Sequence, residues 1–133
     1  MQIHQQINHL ARKLRQLDQN TGDEHLSSAR LMVLKLVKAH NPVTLKKLAS
    51  LQSVALPTMS KIVDELQKRA LVIRAQSKDD ARKRWIVPTH KGIQVLAKSE
   101  DSSKEFWNNK LKKLDPDQIK QLTESLNILI NEL

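Results

Sequence analysis

From Ser77 to Gly92 the chain reads SKDDARKRWIVPTHKG, with Asp79 and Asp80 directly ahead of the cations Arg82, Lys83 and Arg84. Two chemistries could use such a group. Adjacent carboxylates can share a divalent ion for phosphodiester hydrolysis, but only with further acidic or histidine ligands to complete the site. The five histidines (His4, His9, His25, His40, His90) contain no i, i+4 pair and no compact ligand cluster, so neither a metal nor a catalytic centre is expected. The other chemistry is phosphate recognition by the cations, with a carboxylate as an internal brace. A solvated hairpin tip is the plain alternative, and the rest of the chain has to decide.

Charge placement favours the phosphate reading. Of the formal +9 carried by 133 residues, the middle segment 45–92 holds 11 Lys/Arg against 4 Asp/Glu, whereas residues 93–133 hold 6 against 7. A basic centre between nearly neutral ends points to a polyanion-binding surface, and nucleic acid is the usual polyanion. One Phe (Phe106), two Trp (Trp85, Trp107) and no Tyr are too few to build the stacking platforms that hold single strands, so duplex DNA is the expected partner. The absence of cysteine excludes disulfides, thiolate metal sites and thiol redox sensing. No stretch approaches the roughly 20 apolar residues of a membrane span, and no apolar signal core opens the chain, so a cytoplasmic protein without membrane partners is expected.

The elements that must carry this centre are mostly helical. Ile3, Ile7, Leu10, Leu14 and Leu17 step by 4, 3, 4, 3, and Ile119, Leu122, Leu126, Leu129 and Leu133 step by 3, 4, 3, 4. Each set forms a narrow stripe on one helix. Either stripe alone could pack on its own core; two of them flanking a basic centre point to a dimerisation layer and a symmetric homodimer. Between them, SSARLMVLKLVKAH reads as a helix buried on most sides, capped by Ser27 or Ser28 and ended by Asn41 and Pro42. A short helix over TLKKLAS, capped by Thr44, leads to a helix over LPTMSKIVDELQKRA that buries Met59, Ile62, Val63 and Leu66. Pro57 fits only its first turn, which places the start near Ala55. LVIRAQ and RWIVPT then form a hairpin around SKDDARK. A helix resumes after Thr89, and Asp115 with Pro116 opens the last one. The fold class is mainly α (α+β): a winged helix-turn-helix with N- and C-terminal helices forming a dimerisation layer. As one domain it divides into dimerisation helices at 1–25 and 115–133, the winged helix-turn-helix at 26–92, and a connecting helix at 93–114.

In this order the chain resembles the MarR (multiple-antibiotic-resistance regulator) family of transcription factors over nearly its whole length. The residues that carry the resemblance are Leu48-Ala49, Val54, Thr58, Ser60-Lys61, Val63-Asp64, Leu66 and Lys68-Arg69-Ala70-Leu71-Val72, joined to a wing signature, Asp80-Ala81-Arg82 and Thr89-His90-Lys91-Gly92. Three departures bear on local geometry. Ala70 stands where the family has Gly, so either a left-handed residue carries a Cβ or the helix ends by another route. Ala55 replaces a polar cap, leaving Ser53 as the alternative cap. Pro88 must lie at a strand end or on a non-bonding edge.

The resemblance implies a homodimeric, sequence-specific regulator of double-stranded DNA, with repression by occupancy of a pseudo-palindromic operator as its simplest mechanism. Arg82 would enter the minor groove, braced by Asp80 through its guanidinium or through nearby amides. Pro57, Thr58, Ser60 and Lys61 would face the major groove, Lys61 meeting either a guanine or a phosphate. Lys46, Lys47, Arg74, Lys78, Lys83 and Arg84 would supply phosphate contacts. Relatives often bind a small aromatic or anionic effector near the position of Phe106 and Trp107, for which interface packing is the other role. No cofactor is expected. A low-specificity architectural DNA-binding protein and a winged-helix protein-interaction module are the alternative readings.

Overall fold

The structure is a computed structural model that describes residues 1–19 and 26–133. Residues 20–25, which close the first expected dimerisation segment and include His25, lie outside the described residues. The elements run α1 (Ile3–Gln19), α2 (Ser28–Ala39), α3 (Leu45–Gln52), α4 (Leu56–Lys68), β1 (Val72–Gln76), β2 (Arg84–Pro88), α5 (His90–Leu111) and α6 (Pro116–Glu132). The chain divides into two compact units, Met1–Leu96 and Ala97–Leu133.

In the first unit, side-chain caps decide where α2 and α3 begin. Ser27 Oγ accepts from the Arg30 N–H, and Thr44 Oγ1 accepts from the Lys47 N–H at 3.1 Å. Both α3 and α4 end in a left-handed residue that is not glycine. Ser53 has φ 53° and donates to Ser50 O, while Val54 donates to Ala49 O. Ala70 has φ 59°, with Ala70 donating to Gln67 O and Leu71 to Leu66 O, both at 2.9 Å. These paired bonds close each last turn as a Schellman motif. Ser53 therefore ends α3 and does not cap α4, contrary to the expectation for it. A free serine is a good N-cap by type, but here its backbone is already spent on reversing the chain. The N-cap of α4 is Ala55, which offers no side-chain acceptor.

α2, α3, α4 and the sheet close over one core. Leu34, Leu48, Met59, Leu66, Val33, Val37, Val63, Val72 and Ile86 are fully buried, each contributing about 1.5–3 kcal/mol by burial. α2 buries a narrower face than its composition implied: Val33, Leu34 and Val37 are inside, whereas Met32 is exposed. β1 and β2 pair antiparallel in the register Val72↔Pro88 through Gln76↔Arg84. Ile86 also exchanges both backbone bonds with Val43, at 2.7 and 3.3 Å, so β2 is flanked on both edges. Pro88 ends β2, where its missing N–H costs nothing. α5 starts at His90, directly after Thr89 as the patterning implied and ahead of the boundary at 93, because Thr89 caps it: Thr89 Oγ1 accepts from the Gly92 N–H at 3.0 Å. It stops at Leu111, short of 114.

In the second unit α6 opens with a full capping box. Asp115 Oδ1 accepts from Gln118 N–H at 2.8 Å, and the Gln118 side chain accepts from Asp115 N–H at 3.1 Å. Along α6, Leu122, Leu126 and Leu133 are exposed and Ile119 and Leu129 half-buried; none of its residues is fully buried. Along α1, Ile3, Ile7, Leu10 and Leu14 are likewise exposed and Leu17 half-buried. Among the described residues no helix is long and apolar enough to cross a membrane.

Candidate nucleic-acid interface

α4 is amphipathic in the sense that a groove-reading helix requires. Met59, Val63 and Leu66 anchor it in the core, while Pro57, Thr58 and Lys61 are exposed near its start and Ser60 is half-buried beside them. Ala55 leaves the first-turn amides without a side-chain acceptor, and Pro57 removes one donor. The positive end of the helix dipole thus faces outward with small side chains around it, an arrangement suited to an anion or a polar base edge. Lys61 forms no ion pair among the described residues. Lys46 and Lys47 lie exposed in the first turn of α3.

The wing tip is a loop ordered by short-range bonds to its own backbone. Asp80 Oδ1 accepts from the Arg82 N–H at 2.9 Å, and the Ser77 Oγ accepts from the amides of Asp79 and Asp80. Lys83 N–H donates to Asp80 O, and Ser77 N–H to Lys83 O, both at 3.0 Å. Gln76 Nε2 closes the loop on Ala81 O. Of the two partners expected for Asp80, the backbone amide is therefore the one found, and the carboxylate fixes where Arg82 leaves the chain while its guanidinium projects into solvent. Lys78, Asp79, Arg82, Lys83 and Arg84 are all exposed. Lys83 Nζ lies 5.8 Å from the centre of the Trp85 ring, a cation–π placement that holds it beside β2.

Arg74 departs from the expectation of a free phosphate-binding cation. One guanidinium nitrogen meets Asp64 Oδ1 at 2.7 Å and the other Gln67 Oε1 at 2.5 Å, both on α4. The sequence cannot display that pairing, because the partners lie seven and ten positions earlier on another element. A second ion pair joins Arg30 of α2 to Glu65 of α4. The two acidic residues of α4 are thus both matched, and the helix is tied to its neighbours on two sides. Val43 and Thr89 also shape this region, yet a single bridging residue and a cap before a helix give little periodic signal.

Elsewhere, Phe106 and Trp107 are exposed and meet edge to face at 5.2 Å, with Lys110 Nζ 5.5 Å from the Phe106 ring centre. Among the described residues no three His, Asp or Glu side chains are gathered to hold a metal ion.

The family model for the MarR family matches residues 26–83, from the cap of α2 through the wing tip. Among solved structures, MepR, a transcription regulator of the Staphylococcus aureus multidrug efflux pump MepA, superposes with a TM-score of 0.83 at 17% identity, covering 99% of this chain and 98% of that one. A mutant MarR from E. coli gives 0.80 at 19% identity, covering 98% and 97%. FabT of Streptococcus pneumoniae, solved in complex with DNA, gives 0.75 at 16% identity, covering 96% and 95%. At these identities the likeness is one of fold. No curated protein matches the sequence.

Proposed function

We propose, from the match of residues 26–83 to the MarR family model, that the chain is a MarR-family protein and a sequence-specific regulator of transcription that binds double-stranded DNA. α4 enters the major groove with Pro57, Thr58, Ser60 and Lys61 toward the bases. The wing carries Arg82 into the minor groove, and Asp80 sets its exit from the loop. Lys46, Lys47, Lys78, Lys83 and Arg84 meet phosphates. Arg74 leaves that set, since its charge is matched on α4, and acts as a tether between helix and wing.

The observation that carries this reading is the pair of exposed cationic projections: the start of α4 with Lys61, and a wing tip whose own backbone bonds leave Arg82 exposed. Fold relatives solved on DNA, FabT and MepR, support the same use of them. A protein-interaction module would leave the basic concentration of residues 45–92 without a purpose.

The working unit in this reading is a homodimer. The apolar stripes of α1 and α6 are exposed in the single chain, and burial against a second copy would remove Ile3, Ile7, Leu10 and Leu14, and Leu122, Leu126 and Leu133, from water. Two copies read two half-sites of a pseudo-palindrome about 34–36 Å apart. Occupying promoter DNA then represses transcription, and a small aromatic or anionic effector near Phe106 and Trp107 relieves it by changing the separation of the two reading heads.

Selection from a random duplex library tests this. Enrichment of a pseudo-palindrome with half-sites about 10–10.5 base pairs apart, or a multiple of that, is expected. Recovery of unenriched sequence by a protein that still binds duplex would favour the architectural alternative, and failure to bind any duplex would favour the interaction module.

A further inference from the structure

The motif Thr89-His90-Lys91-Gly92 has no task among the proposed DNA contacts. In the structure it converges on three successive carbonyls that follow the last turn of α4. Lys91 Nζ donates to Arg69 O at 3.0 Å, Thr89 Oγ1 to Ala70 O at 2.6 Å, and Thr89 N–H to Leu71 O at 3.0 Å. Gly92 presses on the same segment, so closely that a Cβ there would stand 2.2 Å from Leu71 O. At the middle of the three is Ala70, whose φ of 59° is a conformation that L residues keep only where their surroundings over-determine it. Arg69 ends α4 and Val72 opens β1. The bonds at 69–71 therefore set the angle between the recognition helix and the first strand of the wing.

We propose that Lys91 is a positioning residue that locks this joint, so that α4 and the wing meet one duplex in both grooves at once. The proposal rests on the DNA-binding reading. It also separates Lys91 from the other cations of the basic centre, because its ammonium is engaged by a carbonyl at a helix C-terminus, where the backbone dipole favours a cation. The loss of Lys91 then weakens the fit of two elements to DNA without removing a phosphate contact.

The full chain is titrated with its selected duplex and with random duplex over a range of salt, as wild type, Lys91→Met and Lys91→Arg. Met keeps the apolar stem and loses the donor; Arg keeps the donor and the charge. Lys91→Met is expected to weaken binding to the selected duplex about 3- to 10-fold, the order of one solvent-exposed hydrogen bond. Random duplex is affected less, the slope of log affinity against log salt stays as in wild type, and Lys91→Arg recovers most of the loss. A slope lower by about 1.8, one phosphate contact per wing in a dimer, would make Lys91 a phosphate ligand and overturn the proposal. Unchanged affinity with only a lower melting temperature would overturn it too, leaving a residue that merely stabilises. A wild-type chain that binds no duplex would instead remove the DNA-binding reading, and this inference with it.

Discussion

The Asp80 carboxylate offers a perturbation whose sign separates two accounts of the wing. Asp80 Oδ1 accepts from the Arg82 N–H at 2.9 Å, while the Asp80 carbonyl accepts from Lys83 N–H. Replacing Asp80 with Ala removes the side-chain acceptor, and an exposed hydrogen bond of this kind stabilises the ordered tip by about 0.5–1.5 kcal/mol. Reordering the tip on DNA must then supply that amount, a loss of roughly 2- to 10-fold in affinity for each wing. The opposing effect is removal of an anion from a surface that faces phosphates. A carboxylate about 7 Å from a phosphate repels it by about 0.6 kcal/mol in water, and physiological salt cuts that by half or more. Ordering therefore outweighs repulsion, and Asp80→Ala should bind more weakly. Asp80→Asn loses the same charge but keeps an acceptor at the same position, so it should bind as well as wild type or up to about twofold more tightly. Fluorescence anisotropy with the selected duplex at one fixed salt concentration reads both, with circular dichroism to verify the fold. The reasoning fails if Asp80→Ala binds as tightly as Asp80→Asn, which would leave Asp80 a charge that moderates affinity and nothing more.

Other consequences follow from the same geometry. Ala70→Gly should raise stability by roughly 1 kcal/mol by relieving the left-handed alanine, and Gly92→Ala, which adds the same methyl against Leu71 O, should lower it by about 1–3 kcal/mol; thermal melts of the two variants shifting in the same direction would contradict this. Leu14→Asp and Leu126→Asp should each turn a dimer into a monomer in sedimentation at micromolar concentration, and a monomeric wild type would remove the dimer. Lys61→Ala should relax base preference by roughly 1–3 kcal/mol at one position per half-site; uniform weakening across sequences would assign Lys61 to a phosphate.

The helices were largely legible because their signals are local. Thr44, Asp115 and Pro116 are caps and starts by type, and the spacing of Met59, Val63 and Leu66 marks the buried face of α4. What escaped depends on partners distant in sequence or on backbone conformation. Ser53 looks like an N-cap until its φ of 53° shows it closing α3. Arg74 looks like another cation of a basic surface until Asp64 and Gln67 appear beside it. Val43 is one residue between Pro42 and Thr44, too short for a strand pattern, yet it extends the sheet through Ile86. The start of α5 after Thr89 is visible in the patterning, but the need for glycine at position 92 is not, because it comes from the close approach of Leu71 O, twenty-one residues earlier. The Asp80–Arg82 relation was visible as spacing, but two acceptor geometries fit that spacing equally well.

The central claim is that this chain distinguishes one duplex sequence from others, and a competition titration of the wild-type protein measures that directly. The selected duplex and a scrambled duplex of the same length and composition compete at one physiological salt concentration. The account predicts that the selected duplex is bound at least about 10³-fold more tightly, the lower end for specific regulators. Equal affinities for the two duplexes would contradict it and would make the protein an architectural binder that reads charge alone.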